Sequence, residues 1–305
     1  MPQTLVLDGR HLSFDDLRAL VRDEPQGKSV RLKVSPNSVR AMKRSRAVLE
    51  KALAQGKTVY GVNTGFGKLS DTKIGEEALE KLQSNLLRSH SIGSGPHLER
   101  PGLFMALRAN SLALGASGVT PTLVAMLADM YNRGVAPCIP TLGSVGASGD
   151  LAPLAELGVV MLGEGIASAP GVEHGPAARA LAKARLKPYR FRPKEALALV
   201  NGTQLMSTLL GEALVEAEEL LMFADVAGAM SLEAMKGSAA PFDARVHEAR
   251  PHPGQKTVAD NVRRLLADSE VLESHRDCRR VQDAYSLRCI PQVHGAARDA
   301  FEFAK

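Results

Sequence analysis

The sequence predicts a mainly α protein in which a small mixed α/β N-terminal region precedes a bundle of long helices. Three observations carry this expectation. Residues 204–236 place Met206, Leu210, Ala213, Ala217, Leu221, Ala224 and Met235 at helical spacing with no proline between them, which implies one helix of about 50 Å at about 1.5 Å per residue. Strand-like alternation is limited to short runs near the N-terminus, residues 4–8 and 30–34. Helical periodicity returns repeatedly through the rest of the chain.

The elements follow in order. After the strand at 4–8, Ser13 is placed to cap a short helix reaching Arg22. The strand at 30–34 closes on Ser35-Pro36-Asn37, and a helix over 38–55 stops at Gly56. A helix over 76–88 carries Leu79, Leu82, Leu86 and Leu87 on or near one face, and helices over about 101–114 and 122–132 follow. Residues 150–163 read as a helix with Asp150 near its N-terminus. The stretch 165–191, rich in glycine, proline and basic residues, reads as a surface connection. Arg192-Pro193-Lys194-Glu195 opens a short helix ending near Asn201, and the domain boundary is expected here, with residues 1–192 as one domain and 193–305 as a helical-bundle domain.

A helix as long as 204–236 exceeds ordinary globular lengths, so its apolar stripe is expected to be covered by other helices or by further copies of the chain. Beyond it, 254–267 is helical and amphipathic, and 293–305 is the start of another helix with no capping signal. In between, 281–289 places Gln282, Tyr285 and Arg288 at intervals of three, which on a helix share a face. Such a face is usually solvated, but an amide, a phenol and a guanidinium together can also orient a carboxylate.

Composition narrows the function classes. The 305 residues are 45% apolar, enough for a sizeable core. The 38 basic residues exceed the 33 acidic ones by only five, with both signs interspersed, so no nucleic-acid role is expected. Cys138, Cys278 and Cys289 are few, odd in number and lack C-x-x-C spacing, which suits a reducing cytoplasm. His247 and His252 flank Pro251 at a spacing that does not place two ligands on adjacent helical turns, so no metal site is expected. No leader or membrane segment is expected, because no run stays apolar for the ~18 residues a membrane helix needs.

Two glycine-rich segments carry the chemistry. Tyr60-Gly61-Val62-Asn63-Thr64-Gly65-Phe66-Gly67 holds three glycines in eight residues and must be a loop. Tyr60 either packs its ring there or acts as a general base. The second segment is Gly143-Ser144-Val145-Gly146-Ala147-Ser148-Gly149-Asp150. It can be a solvated loop; a phosphate cradle lacks the following Lys-Ser or Lys-Thr, and a nucleophile elbow lacks its G-x-S-x-G spacing. A fourth reading is backbone cyclisation, in which the Gly149 nitrogen closes on the Ala147 carbonyl carbon and loss of water from the ring and from Ser148 leaves an electrophilic methylidene-imidazolone. If a helix follows, its positive end stabilises negative charge developing in the loop. His90, at a helix end before a Gly/Ser segment, caps carbonyls or binds a ligand.

Taken together, these segments resemble the histidine ammonia-lyase branch of the aromatic amino-acid lyases over essentially the whole chain. The resemblance rests on Tyr60-Gly-Val-Asn-Thr-Gly-Phe-Gly67, Ser89-His90, Gly146-Ala-Ser-Gly-Asp-Leu-Ala-Pro-Leu154, Asn201-Gly-Thr-Gln204 and Gln282-Asp-Ala-Tyr-Ser-Leu-Arg288. It implies an aromatic amino-acid lyase/fumarase-like helical fold and a 4-methylidene-imidazol-5-one formed without added cofactor from Ala147, Ser148 and Gly149. It further implies Tyr60 as the base removing a β-proton, Arg288 as the bidentate partner of the substrate carboxylate, and Asn201, Gln282 and Tyr285 as holders of the ring and reacting groups. His90 is then the specificity residue: an imidazole suits a polar ring, and His90-Ser91 favours L-histidine, with urocanate as product, over tyrosine. A tyrosine ammonia-lyase, an aminomutase of the same chemistry and a non-catalytic assembly partner are the alternatives. The resemblance also implies a homotetramer with shared active sites. It departs at Glu156, where histidine-specific relatives often carry histidine. Family members are longer, so the bundle is expected to be incomplete, with further helices and an active-site glutamate outside these residues.

Overall fold

The computed structural model describes residues 2–10, 12–23, 27–69 and 71–305. It divides into two compact units, Met1–Gly211 and Glu212–Lys305. The first opens with β1 (Gln3–Leu7), α1 (Phe14–Arg22) and β2 (Val30–Val34), and β1 and β2 pair in parallel with Leu5 opposite Leu32. Ser13 caps α1 through a reciprocal capping box with Asp16. Next come α2 (Pro36–Ala54), capped by Ser35, a short turn of helix at Glu76–Ala78, and α3 (Leu79–His90).

The core of this unit forms around helices that are apolar on every side. After β3 (Ser94–His97), the helices α4 (Pro101–Ala113) and α5 (Pro121–Asn132) pack on each other. Leu103, Phe104, Met105, Leu112, Leu123 and Leu127 lie fully inside. A helix hydrophobic all round is stable only when surrounded by protein. The chain continues through β4 (Ala136–Pro137) and β5 (Pro140–Leu142) to α6 (Leu151–Met161), which is equally buried. β3 pairs antiparallel with β5, with Ser94 opposite Leu142 and His97 opposite Pro140.

One expectation is corrected in this unit. The stretch 165–191 is not a surface connection: it forms β6 (Ile166–Ala169), β7 (Val172–Pro176) and α7 (Ala177–Lys183), and β4, β6 and β7 make a three-stranded antiparallel sheet. Ala167, Val172, Ala180, Leu181 and Phe191 are buried. The polar residues that suggested a loop are the outward positions of a hairpin turned at Pro170-Gly171. The first compact unit runs on to Gly211 and includes α8 (Glu195–Val200), which packs against α3 and α6 and whose Ala196 N–H donates to Gln83 Oε1 at 3.1 Å.

The long helix is present as α9 (Gln204–Ala234), 31 residues without interruption. In the single chain, much of its apolar surface is open. Met206 and Leu210 are each 50% exposed, and Leu220, Phe223 and Met230 are about two-thirds exposed at 66%, 66% and 65%.

The second unit contains the rest of α9 with α10 (Ala244–Ala249), α11 (Pro253–Leu265), α12 (Glu270–Glu273), α13 (Tyr285–Arg288) and α14 (Ile290–Ala304). Leu232, Phe242, Val258, Val262, Leu287 and Ile290 form its core. Buried Asp225 on α9 ties the unit together: it accepts from Asn261 on α11 at 2.7 Å, pairs with Arg298 at 2.6 Å and meets His294 Nδ1 at 3.0 Å, both on α14. His247, fully inside, lies 3.0 Å from the Pro241 carbonyl and 3.0 Å from Gln255 Nε2. No helix among the described residues is long and apolar enough to cross a membrane.

Candidate active site

The short helix α8 is the hub of the site in the first unit. Its Leu197 packs against Gly61 of the Tyr60 loop, where a Cβ would lie 2.5 Å from the leucine methyl and φ is +65°. Only glycine fits such a position. Its Ala196 is hydrogen-bonded to α3, the helix that ends at His90. Its Leu199 touches Gly158 of α6, directly behind the 143–150 loop. After α8, residues 201–204 turn into α9, and this turn is held from inside by Arg108. That guanidinium donates to the Asn201 carbonyl at 2.9 Å, to Gln204 Oε1 at 2.9 Å and to the Ala198 carbonyl. Burial pulls Arg108 down to about 10, which leaves it charged at neutral pH.

The 143–150 loop is clamped at one end and open at the other. Gly149, with φ +112°, lies so close to Gly202 that a Cβ would sit 2.5 Å from the Gly202 oxygen. The Asp150 N–H donates to that same carbonyl at 2.6 Å. The Asp150 carboxylate, fully buried, accepts from Ser144 Oγ at 2.7 Å, from the Leu205 N–H at 2.8 Å and from the Met206 N–H at 3.1 Å. Asp150 precedes α6, and its side chain caps the N-terminus of α9. Two helix N-termini therefore adjoin the loop, as the expected position before one helix required at the least. Ala147 and Ser148, by contrast, are exposed.

His90 stands beside this loop. Its Nδ1 lies 2.9 Å from the Leu86 carbonyl and 3.0 Å from the Ser89 hydroxyl, and no hydrogen bond among the described residues engages Nε2. Gly93, three residues on, packs its Cα against Gly143, where a Cβ would be 3.1 Å away. Glu156, the departure from the family pattern, has a definite place here: its Oε1 accepts the Gly93 N–H at 3.3 Å. It thereby joins the segment after His90 to α6.

The Tyr60 loop is shaped by its own polar side chains. Asn63 accepts from Val59 N–H at 2.7 Å and donates to the Lys57 carbonyl at 2.8 Å, while Thr64 Oγ1 accepts from Gly61 at 3.0 Å. Tyr60 itself is 56% exposed, edge-on to Phe66, and its Oη accepts the Gly67 N–H at 3.4 Å. Asn201 is exposed, with its Nδ2 donating to the Leu197 carbonyl at 2.9 Å. The first unit thus holds Gly149, and with it Ala147 and Ser148, against the α8–α9 turn that carries Asn201, fastens the Tyr60 loop to α8, and packs the segment after His90 against Gly143.

Gln282, Tyr285 and Arg288 belong to the second unit. They do not share one helix face as the spacing suggested, because α13 is four residues long and Gln282 precedes it. The helix is held short by Asp283, which accepts the Ser238 N–H at 2.6 Å and pairs with Arg280 at 3.3 Å. Gln282 and Arg288 line an open cavity of about 940 Å³, and Tyr285 is 77% exposed.

Sequence reasoning did not find Arg108, Gly202 or the clamping role of Asp150. Arg108 carried a signal: a lone guanidinium inside an otherwise apolar helix must be paired with something. Gly202 was quoted only as part of the Asn201-Gly-Thr-Gln204 motif; what excludes a side chain there is Gln204 Oε1 together with the guanidinium of Arg108.

The family model for aromatic amino acid lyases matches residues 12–305. A histidine ammonia-lyase from Sorangium cellulosum is 49% identical over 304 residues, covering 98% of this chain and 58% of the relative. Among solved structures, histidine ammonia-lyase from Trypanosoma cruzi superposes with a TM-score of 0.87 at 39% identity, over 99% of this chain and 55% of that one. Tyrosine aminomutase from Streptomyces globisporus superposes with a TM-score of 0.86 at 34% identity, over 99% and 59%. The chain spans under two-thirds of the length of these relatives. With the family model matching nearly the whole chain and the five motifs in order along it, the chain belongs to the aromatic amino acid lyase family.

Proposed function

We propose that this chain carries the larger part of a histidine ammonia-lyase, which eliminates ammonia from L-histidine to give trans-urocanate. The observation that carries the reading is the loop at 143–150: it is fixed at Gly149 and Asp150, open at Ala147 and Ser148, and packed at Gly143 against Gly93 of the segment that follows His90. The residues fit a 4-methylidene-imidazol-5-one. No side chain is possible at Gly149, whose nitrogen bonds to the Ala147 carbonyl carbon as two waters leave, one of them from Ser148. Once formed, that group supplies an electrophile that turns the substrate amine into a better leaving group.

The chain's own side chains do the rest. Tyr60 Oη takes the β-proton of the substrate. Arg288 pairs with the carboxylate through two parallel N–H bonds. Asn201, Gln282 and Tyr285 hold the ring and the reacting groups. His90 Nε2 accepts the N–H of a substrate imidazole, whereas an apolar ring would leave that nitrogen unpaired, a loss of about 1–3 kcal/mol. The exposed stripe of α9 is covered in a homo-oligomer, a tetramer by resemblance, and the enzyme works in the cytoplasm.

Intact mass is the first test. A deficit of two waters, abolished by Ser148→Ala, is expected; an unmodified mass in folded protein overturns the reading for this chain. Urocanate absorbance with histidine, set against coumarate absorbance with tyrosine, then decides the substrate. The likeness to tyrosine aminomutase favours tyrosine as the second reading. Should His90→Phe leave histidine preferred, the specificity role of His90 is wrong. A ring with no turnover points to a non-catalytic assembly partner.

A further inference from the structure

Away from the lyase residues, three strand segments of the first unit bring together two imidazoles and a thiol. His97 ends β3, opposite Pro140, and the next N–H, of Leu98, donates to the Ile139 carbonyl at 2.8 Å. Cys138 lies between β4 and β5, with its N–H on the Ile166 carbonyl of β6 at 3.0 Å. His174 is in β7, the hairpin partner of β6. One ring nitrogen from each histidine and the cysteine sulfur all lie within 4.8 Å of one another. The imidazole rings are stacked, with centroids 6.1 Å apart and planes 22° apart. Among the described residues no hydrogen bond engages either ring or the sulfur. His174 also holds a left-handed φ of +32°, a backbone position that a non-glycine residue rarely takes, and this aims its ring back at Cys138 and His97.

We propose that His97, Cys138 and His174 form a binding site for one zinc-class divalent cation, with water as fourth ligand. Donor chemistry sets the class. Two imidazoles and a thiolate suit zinc and its late first-row neighbours, whereas magnesium and calcium require oxygen ligands. Geometry sets the count. Zinc–nitrogen bonds of about 2.0 Å and zinc–sulfur bonds of about 2.3 Å put tetrahedral ligands roughly 3.3–3.8 Å apart, so small rotations of the two exposed imidazoles complete the triangle around Cys138. Binding displaces the thiol proton to solvent. Because the ladder that carries His97 opposite Pro140 ends with Ser94 opposite Leu142, one residue before the glycine-rich loop, the ion fastens the stem of that loop to the β6–β7 hairpin. The site does not depend on the lyase reading.

The test uses the full chain, stripped with a chelator and titrated with Co²⁺ as a spectroscopic probe. A thiolate-to-cobalt charge-transfer band with tetrahedral d–d intensity is expected, saturating at one equivalent and displaced by Zn²⁺. Cys138→Ser abolishes the band, while Cys278→Ser and Cys289→Ser leave it intact. His97→Gln and His174→Gln, at exposed positions whose loss leaves the fold unchanged by circular dichroism, each weaken Zn²⁺ binding by about 100-fold or more. Zn²⁺ raises the Tm of the native chain and not of the histidine variants. No band, a band that survives Cys138→Ser, or Zn²⁺ affinity unmoved by both histidine substitutions overturns the proposal.

Discussion

Asp150 Oδ2 accepts the backbone N–H of Leu205 at 2.8 Å, so the last residue of the 143–150 loop caps a helix that starts more than fifty residues later in the chain. The same carboxylate also holds Ser144 and Met206. Asp150→Ala leaves two α9 amides and one hydroxyl without their acceptor inside the protein, at a cost of about 3 kcal/mol. A Tm lower by several degrees is expected, together with protein in which the two waters of residues 147–149 are retained. Asp150→Asn keeps one acceptor oxygen and falls between. An Asp150→Ala protein with unchanged Tm would show that the cap carries no weight.

Gly202 is the point where the loop, the Asn201 segment and Arg108 share space. A methyl there would lie 2.1 Å from Gln204 Oε1 and 2.3 Å from Arg108 Nη1. Both must move, and Arg108 is buried and already bonded to Gln204 and to the Asn201 and Ala198 carbonyls. Gly202→Ala is therefore expected to cost about 2–4 kcal/mol, in the range of a broken buried charge network. Gly146→Ala, where nothing lies within 4 Å, costs only the strain of its φ of +66°, about 1–2 kcal/mol. Comparing the two melting curves checks this; equal losses would count against the Arg108 contact.

Most helices were legible because their apolar residues recur at regular spacing and their ends carry caps: Ser13 sits where the sequence put the start of α1, α2 begins two residues before the expected Ser38, and α9 runs unbroken from Gln204. The hairpin at 166–176 was not legible, because its inward residues are small and its outward ones polar, a pattern shared with loops. The motifs nominated candidate site residues, but not what holds them. Arg108 is 90 or more residues from the carbonyls it binds, and that pairing is set by packing, not by local order. The helix expected to carry Gln282, Tyr285 and Arg288 together failed for a local reason: buried Asp283 spends its carboxylate on Ser238 and Arg280 outside any helix.

Glu156 ties the segment after His90 to α6 through a hydrogen bond. Its Oε1 accepts from Gly93 at 3.3 Å. Glu156→Gln preserves an acceptor at that position, while Glu156→Leu removes it. Amide exchange at Gly93 is expected to quicken in the leucine variant and to stay near the native rate in the glutamine variant, with stability changes of about 1 kcal/mol or less. Equal exchange in both would remove Glu156 from the support of His90.

Asp23 gives the first unit an acid-sensitive joint. Burial alone would raise its carboxyl, but hydrogen bonds from Ser29, Tyr131 and Gly27 outweigh that and hold it below the usual carboxylate range. The Tyr131 and Gly27 contacts are both 2.7 Å. Since the folded value lies under the unfolded one, near about 3.9, the folded state binds fewer protons in that window. Its contribution to stability is then complete above the unfolded value and is lost as pH falls through the folded one. Asp23→Asn should lower the Tm at pH 7 and flatten its decline below pH 4. A decline as steep as the native chain's would place the acid sensitivity elsewhere.

The second unit depends on an ion cluster that is inside the protein, and this sets how it responds to mutation and to salt. Asp225 is 2% exposed, and its two oxygens serve Arg298, His294 and Asn261. Arg298 keeps one other acceptor, the Leu221 carbonyl at 3.0 Å. Asp225→Ala strands the guanidinium with only that partner, a loss of about 3–5 kcal/mol. Asp225→Leu combined with Arg298→Met removes both charges, and it should recover most of that loss because desolvation of the pair no longer has to be offset. Since the pair is shielded from solvent, raising the salt concentration should leave the native Tm nearly unmoved, unlike the exposed Arg245–Asp243 contact. Thermal melts of the single and double variants at low and high salt read all three effects. A double variant no more stable than Asp225→Ala would mean that the cluster stabilises through its charges and not merely by avoiding an unpaired one.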